Sequence, residues 1–268
     1  MNILENISAF QNLIYIAASI LFITGIKMLG KEDTAVKGNF LSALAMLIAV
    51  VITFLDPDVQ VNPYLILAGI GVGATVGSLI ALKVKMTSIP EMVALFNGFG
   101  GLATFFIAWS EFNSVPDNSF QYVLIMLTTY IGGVTFSGSI VAYGKLSEKL
   151  KIQKTSIITK FFTTIFYVSI IYLIYSILIA NIFIPPFDFF IVLLALTLLG
   201  GIGFVIPIGG GDMPVVISLL NSFSGIAAAF AGLLLLNNVL IVAGSLVGAS
   251  GLILTVIMAK AMNRSIGN

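Results

Sequence analysis

The chain has 268 residues, of which 59% are hydrophobic and only 9% are charged, and this composition excludes a water-soluble globular core. Lysine and arginine total 12 and aspartate and glutamate total 11, so the net charge of +1 gives no indication of nucleic-acid binding. The sequence contains neither cysteine nor histidine, which excludes disulfides, thiol nucleophiles and imidazole or thiolate metal ligands.

Nine apolar runs follow one another along the chain, separated by short polar or proline-containing breaks. A bilayer core about 30 Å thick needs roughly 20 apolar residues of helix. We therefore predict an all-α integral membrane protein with nine transmembrane helices in a single domain. The first run follows Asn and Glu rather than a basic segment, so we expect a retained helix and not a cleaved signal. The predicted spans are residues 8–29, 38–55, 63–82, 90–109, 120–144, 157–184, 187–207, 213–236 and 238–260.

The basic residues all fall on one side of the membrane when nine spans alternate in direction. Because basic residues favour the cytoplasmic side, this partition predicts an outside amino terminus and a cytoplasmic carboxyl terminus. A count that differed by one span would scatter the basic residues over both sides, so the partition also supports nine. The residues are Lys27, Lys31, Lys37, Lys83, Lys85, Lys145, Lys149, Lys151, Lys154, Lys160, Lys260 and Arg264.

Two segments of the sequence are close copies of each other. SIPEMVALFNGFGG at residues 88–101 and DMPVVISLLNSFSG at residues 212–225 carry Pro, Asn, Phe and Gly at matching positions. Each copy begins a span and is flanked by glycine-rich spans. The span before the second copy ends in the segment IPIGGGDMP, which is too rich in glycine and proline to remain regular helix. Spans three to five are therefore predicted to repeat in parallel as spans seven to nine, a pattern known among transport proteins.

The starts of both copies resemble helix starts. Ser88 with Glu91 fits a capping box, Asp212 is the matching cap, and a proline occupies each first turn. If Ser88 is the cap, Asn97 lies about 13 Å further along the helix, near the middle of the bilayer. Glu91 and Asp212 are also the titratable candidates at the cytoplasmic mouth, and the capping and proton-exchange interpretations both stay open.

The paired residues Asn97 and Asn221 allow two interpretations. They either hydrogen-bond across helices and hold the bundle together, or line a hydrated path through it. Acidic and basic residues lie only near the ends of the predicted spans, so any ion path through the middle of the membrane must use water, amides and hydroxyls. Small residues also form stripes on spans four, five, eight and nine, which favours close helix packing. The glycine-rich segment GIGVGATVG does not predict a nucleotide site, because it lies within a span and follows no soluble strand.

Three segments carry a family resemblance: KMTSIPEMVALFNGFGG, IPIGGGDMPVVISLLNSFSGIAAA and GSLVGASGLILTVIMAKAMNRS. They resemble the membrane domain of the beta subunit of proton-translocating NAD(P) transhydrogenase, and the similarity extends over essentially the whole chain. The resemblance implies a translocase in which hydride passes between NADH and NADP in soluble domains, while the membrane domain couples that reaction to proton movement. It implies location in the cell inner (plasma) membrane.

The resemblance also implies partners. These are an alpha subunit with the NAD(H) domain and further membrane helices, an NADP(H)-binding domain, and a second copy of the complete unit in a dimer. In this family the NADP(H) domain follows the segment AMNRS, and this chain ends shortly after it at Asn268. We therefore expect the chain alone to bind no NAD(H) or NADP(H) and to catalyse no hydride transfer.

The resemblance assigns roles by position. Asn97 stands where many family members carry a histidine implicated in proton conduction, so here the side chain can guide a proton but cannot hold one. The main alternative is a secondary transporter or channel built on a parallel repeat, and a third interpretation is a structural assembly module. The predicted pathway residues are Asn97, Asn221, Ser218, Ser222, Thr104 and Ser250; the predicted cytoplasmic mouth and domain interface comprises Glu91, Asp212 and Arg264; and Gly244, Gly248 and Gly251 are predicted to pack a helix whose movement affects coupling.

Overall fold

The computed structural model describes residues 3–55, 62–114, 118–150, 156–180 and 186–263. All the regular elements in these ranges are helical, and nine helices are long and apolar enough to cross a membrane, which confirms the predicted fold class. Two short 3-10 turns, Met86–Ser88 and Gly210–Asp212, precede α4 and α8. The helices are α1 Ile3–Leu29, α2 Glu32–Phe54, α3 Pro63–Lys83, α4 Ile89–Asn113, α5 Ser119–Leu146, α6 Ile157–Ala180, α7 Phe187–Val205, α8 Met213–Leu234 and α9 Asn238–Ala261.

The helix bounds differ from the predicted spans most at the start of α2. α2 begins at Glu32 rather than at residue 38, because Glu32 and Asp33 place negative charge in the first turn, where the helix dipole favours it. Counting only apolar residues misses such a polar first turn. α6 is described as far as Ala180, and residues 181–184 of the predicted span lie outside the described residues.

The helices belong to two compact units, and the prediction of a single domain stays a prediction. The first unit contains α1, α2 and α3. In it, α1 and α2 pack as an antiparallel hairpin, since an ideal Cβ on Gly25 would lie 2.9 Å from the Gly38 carbonyl oxygen. Tyr15 and Thr53 share a 2.9 Å hydrogen bond further along the same hairpin. α3 has no buried residue within this unit.

The second unit contains α4 to α9 and is organised around α5. α5 is its most buried helix and packs against α4, α6, α7 and α8, while α9 packs against α8. The outer face of α6 is apolar and exposed, which is typical of a lipid-facing helix. Residues of that face are Tyr167, Ile171, Ile174 and Leu178.

Small residues bring the helices of the second unit together, as the predicted stripes indicate. An ideal Cβ on Gly101 of α4 would lie 2.8 Å from the Gly132 carbonyl oxygen of α5, which leaves no space for a larger side chain. On α5 and α7, the side chain of Thr197 fills the space next to Gly133. These close approaches fix α4, α5 and α7 relative to one another.

The starts of α4 and α8 share a geometry that corrects the predicted caps. A 3-10 turn leads into each helix and a proline occupies its first turn. Neither Ser88 nor Asp212 makes a side-chain capping hydrogen bond. Their backbones are not extended, with φ/ψ of −101°/8° and −90°/−2°, and a capping side chain requires an extended residue. The two copies of the repeated segment therefore begin alike, while the three-helix repeat as a whole stays a prediction.

Candidate functional site

Asn97 joins three helices of the second unit. It lies about one third of the way along α4, where its side chain is half-buried. Its Nδ2 donates a hydrogen bond to Ser139 Oγ of α5 at 2.9 Å, and its Oδ1 accepts one from Ser224 Oγ of α8 at 2.8 Å. An amide has both donors and acceptors, so this one side chain hydrogen-bonds to a serine hydroxyl on each neighbouring helix and links α5 to α8 through α4.

Asn221 lies beside Asn97 in a single groove between α4 and α8. The groove has a volume of about 350 Å³ and Asn221 is exposed in it. Both members of the repeated pair therefore line the same space. The groove is lined by Val93, Phe96, Asn97, Gly100, Asn221 and Ser224, none of which is ionisable.

The Ser224 hydroxyl lies within hydrogen-bonding distance of two acceptors. Its Oγ is 2.8 Å from Asn97 Oδ1 and 2.8 Å from the backbone carbonyl oxygen of Asn221. A hydroxyl has one proton to donate, so at any moment it bonds either to α4 or to its own helix. The connection between α4 and α8 in this groove is therefore exchangeable.

The four other predicted pathway residues lie elsewhere. Ser218 Oγ donates to the Gly251 carbonyl oxygen at 3.2 Å and Ser222 Oγ to that of Gly248 at 2.6 Å, so both hydroxyls face α9 rather than the groove. Thr104 is buried between α4 and α5 and donates to the Gly101 carbonyl oxygen of its own helix at 2.9 Å. The exposed Ser250 donates to the carbonyl oxygen of Val247 at 3.1 Å. Their participation in a pathway stays a prediction.

The predicted glycines of α9 form the contact between α8 and α9. Gly244, Gly248 and Gly251 are buried, and an ideal Cβ on Gly225 of α8 would lie 2.9 Å from both the Gly244 carbonyl oxygen and Gly248 Cα. Thr255 extends this contact through a 3.1 Å hydrogen bond from Oγ1 to Ser218 Oγ. Close backbones and hydroxyl bonds together make α8 and α9 one tightly packed pair.

The predicted mouth residues lie at helix starts. Glu91 is half-buried in the first turn of α4, and Asp212 is half-buried at the end of the 3-10 turn before α8. Arg264 lies outside the described residues. The antiparallel packing of α4 on α5 and the parallel packing of α5 and α7 place Ser88, Lys145 and Asp212 at the same end of the unit, which we call the Lys145 end.

A family model described as the NAD(P) transhydrogenase beta subunit matches residues 11–268 of the chain. The chain belongs to this family. It is similar to two sequences of NAD(P) transhydrogenase subunit beta from Rhodospirillum rubrum, one of them from a defined strain, at 38% identity over 263 residues in each case. The aligned region is 95% of this chain and 56% of each relative, so the chain spans about half the length of these relatives.

Two residues of this transhydrogenase beta-subunit site were not among the predicted site residues. Ser139 belongs to a small, polar stripe of α5, and Ser224 follows Asn221 by about one helical turn. Helical spacing could have placed Ser224 near Asn221, but it could not have shown that Ser139 and Ser224 contact the same amide. Across the residues that the structure describes, no three acidic, histidine or cysteine side chains converge as they would around a bound metal ion.

Proposed function

We propose that this chain is the proton-translocating membrane component of an NAD(P) transhydrogenase. It couples proton movement across the membrane to hydride transfer between NADH and NADP in soluble domains of the complex. The single observation that supports this role best is the convergence of Asn97 and Asn221 on one uncharged groove. Family membership supports the reaction, and the groove supports this part of the membrane domain as the place in which the proton moves.

The groove suits a chain of water molecules. Its volume of about 350 Å³ accommodates on the order of ten waters, at about 30 Å³ each. Asn97 and Asn221 contribute amide donors and acceptors to such waters, and Ser224 adds a hydroxyl. None of these groups takes up a proton near neutral pH, so they orient water and the proton passes from water to water.

The bonds of Ser224 offer a way to gate this path. When Ser224 donates to Asn97 Oδ1, it ties α8 to α4 at the groove. When it donates to the Asn221 carbonyl oxygen, that tie is released and Asn97 Oδ1 is free to accept from water. A small displacement between α4 and α8 therefore changes the hydrogen bonds that a water chain meets.

The complete unit comprises this chain, an alpha subunit, and soluble NAD(H) and NADP(H) domains, and it forms a dimer in the inner (plasma) membrane. The Lys145 end faces the cytoplasm, as the position of the basic residues supports. Glu91, Asp212 and Arg264 contact the NADP(H) domain there. A secondary transporter is a weaker alternative, because the groove offers no charged group to bind a substrate.

The substitution Asn221→Leu in the complete complex tests this function. It removes an amide from the groove without disturbing the contact between α8 and α9, because Asn221 is exposed. We expect coupled proton pumping in reconstituted vesicles to fall at least tenfold, while the amount of assembled complex stays close to that of the wild type. Thr164→Val, on the exposed face of α6, is the matched control and should pump normally. Unchanged pumping by Asn221→Leu would reject the groove as the proton path.

A further inference from the structure

We propose that Lys145 is a positioning residue that transmits movement of the segment between α7 and α8 to the groove. This inference rests on the proposed function, since it concerns the coupling of that same proton path. In the sequence alone, Lys145 is one of the basic residues that orient the chain in the membrane. The structure places its ammonium group among backbone carbonyl oxygens of a different part of the fold.

The Lys145 ammonium binds the end of α7. It is half-buried near the end of α5, and its Nζ donates to the carbonyl oxygens of Ile206 and Ile208, the latter at 2.6 Å. A longer contact of 3.4 Å joins it to the carbonyl oxygen of Val205, the last residue of α7. The last carbonyls of a helix lack intrahelical partners, and a cation there also interacts favourably with the helix dipole. The ammonium therefore stabilises the place at which α7 ends.

The bound carbonyls lie where a buried helix becomes an exposed, glycine-rich segment. Val205 and Ile206 are buried, whereas Gly209, Gly210 and Gly211 are exposed. An ideal Cβ on Gly210 or Gly211 would contact nothing within 4 Å, so packing does not hold these glycines. Lys145 therefore anchors the end of α7, immediately before the glycine-rich segment that continues through Asp212 to α8.

The same helix also contacts the groove. Ser139 lies about 9 Å before Lys145 along α5 and accepts the hydrogen bond of Asn97. α5 is thus attached at one point to residues 205–208, which lead directly into the Gly209–Asp212 segment, and at another to the groove. If docking of the soluble domain shifts that segment, Lys145 passes the shift to α5, and Ser139 passes it to Asn97. A lysine that merely set topology would need none of these contacts.

Lys145→Met in the complete complex tests this role. Methionine keeps much of the apolar stem but removes the charge and the three donors. In reconstituted vesicles, hydride transfer from NADPH to an NAD analogue is measured with and without a protonophore, together with the protons moved per hydride. We expect the proton-to-hydride ratio to fall at least threefold, while hydride transfer with the protonophore stays within twofold of the wild type.

Two further variants separate positioning from general surface charge. Lys145→Arg retains a cation with several donors and should keep most of the wild-type ratio. Lys149→Met removes a neighbouring exposed lysine, whose Nζ lies 5.4 Å from the Tyr143 ring centroid, and should leave the ratio unchanged. An equal loss in Lys149→Met would show that only surface charge matters and would overturn the proposal.

The remaining outcomes are also decisive. A wild-type ratio in Lys145→Met overturns the role of Lys145. If that variant does not assemble, Lys145→Gln, which retains two donors without the charge, replaces it; failure of both to assemble would make Lys145 a folding residue and overturn the proposal. A reduced ratio in Lys145→Met beside normal pumping by Asn221→Leu would reject the groove as the proton path and overturn the transmission to it, while showing that Lys145 contributes to coupling by another route.

Discussion

Asn97 Nδ2 donates a 2.9 Å hydrogen bond to Ser139 Oγ, so the polar centre of α4 is attached to the most buried helix of its unit. This bond determines which way the amide of Asn97 points. With Nδ2 directed to α5, Oδ1 faces Ser224 and the groove. The orientation of a neutral side chain is therefore set by a partner on a different helix.

Ser139→Ala should reduce proton pumping by several-fold. The variant leaves Asn97 Nδ2 without its partner, and the lost hydrogen bond should lower the free energy of unfolding by about 1 kcal/mol. Pumping is measured in reconstituted vesicles and stability by thermal unfolding in detergent. Thr128→Val removes another buried hydroxyl of α5, which donates to its own helix at Leu124, and should pump normally. Equal pumping by both variants would contradict the orienting role of Ser139.

Ser139→Ala and Ser224→Ala should not have additive effects on pumping. Both act through Asn97, so once one partner is lost the second loss should change little. We expect the double variant to pump about as slowly as the slower single variant. The proton-pumping rates of the wild type, both single variants and the double variant are compared in a double-mutant cycle. Multiplied defects in the double variant would show that the two serines act independently.

Gly225→Ala should destabilise the complex by about 1–3 kcal/mol, because the added methyl group would overlap the backbone of α9. The effect should appear as a lower yield of assembled complex and a lower unfolding temperature. Gly30→Ala is the control, since an ideal Cβ there would have its nearest neighbour, the Lys27 carbonyl oxygen, 3.6 Å away. If Gly225→Ala were as stable as Gly30→Ala, the contact between α8 and α9 would be looser than the structure shows.

The purified chain should bind neither NADPH nor NADH. A Rossmann-type dinucleotide site requires a strand followed by a glycine-rich turn and a helix, and the ranges that the structure describes contain helices and 3-10 turns only. Isothermal titration calorimetry of the chain in detergent should give no heat of binding at micromolar dinucleotide. A soluble NADP(H) domain of the family is the positive control. Micromolar affinity of the chain itself would contradict its assignment as a membrane component.

Much of the fold follows from the sequence, because membrane thickness imposes the length and polarity of each helix. Within the described ranges, nine membrane-length helices and the irregular break before α8 are confirmed on this basis. The 3-10 turns before α4 and α8 could not be predicted in this way, since a capping motif in sequence does not determine the backbone angles of its first residue.

The candidate site was predictable only in part. The repeated motif singled out Asn97 and Asn221, and the structure brings them to one groove. Helical spacing places Ser218 on the same face of α8 as Asn221. Its hydroxyl nevertheless bonds to α9, because one face of a helix is wide enough to contact two neighbouring helices. The positions of Ser139 and Lys145 depend on packing between helices that are distant in sequence, and one sequence alone does not reveal that register.

The absence of ionisable residues from the groove also determines what the membrane potential can act on. In the described parts of the nine helices, the acidic and basic residues lie toward the helix ends, and the groove itself is lined by neutral groups. A membrane potential does work of about 2.3 kcal/mol per 100 mV on each elementary charge that crosses the bilayer. A rearrangement confined to the groove carries no resident charge through that field. Under the proposed function, a membrane potential would therefore act on the proton in transit and not on the residues that line the groove.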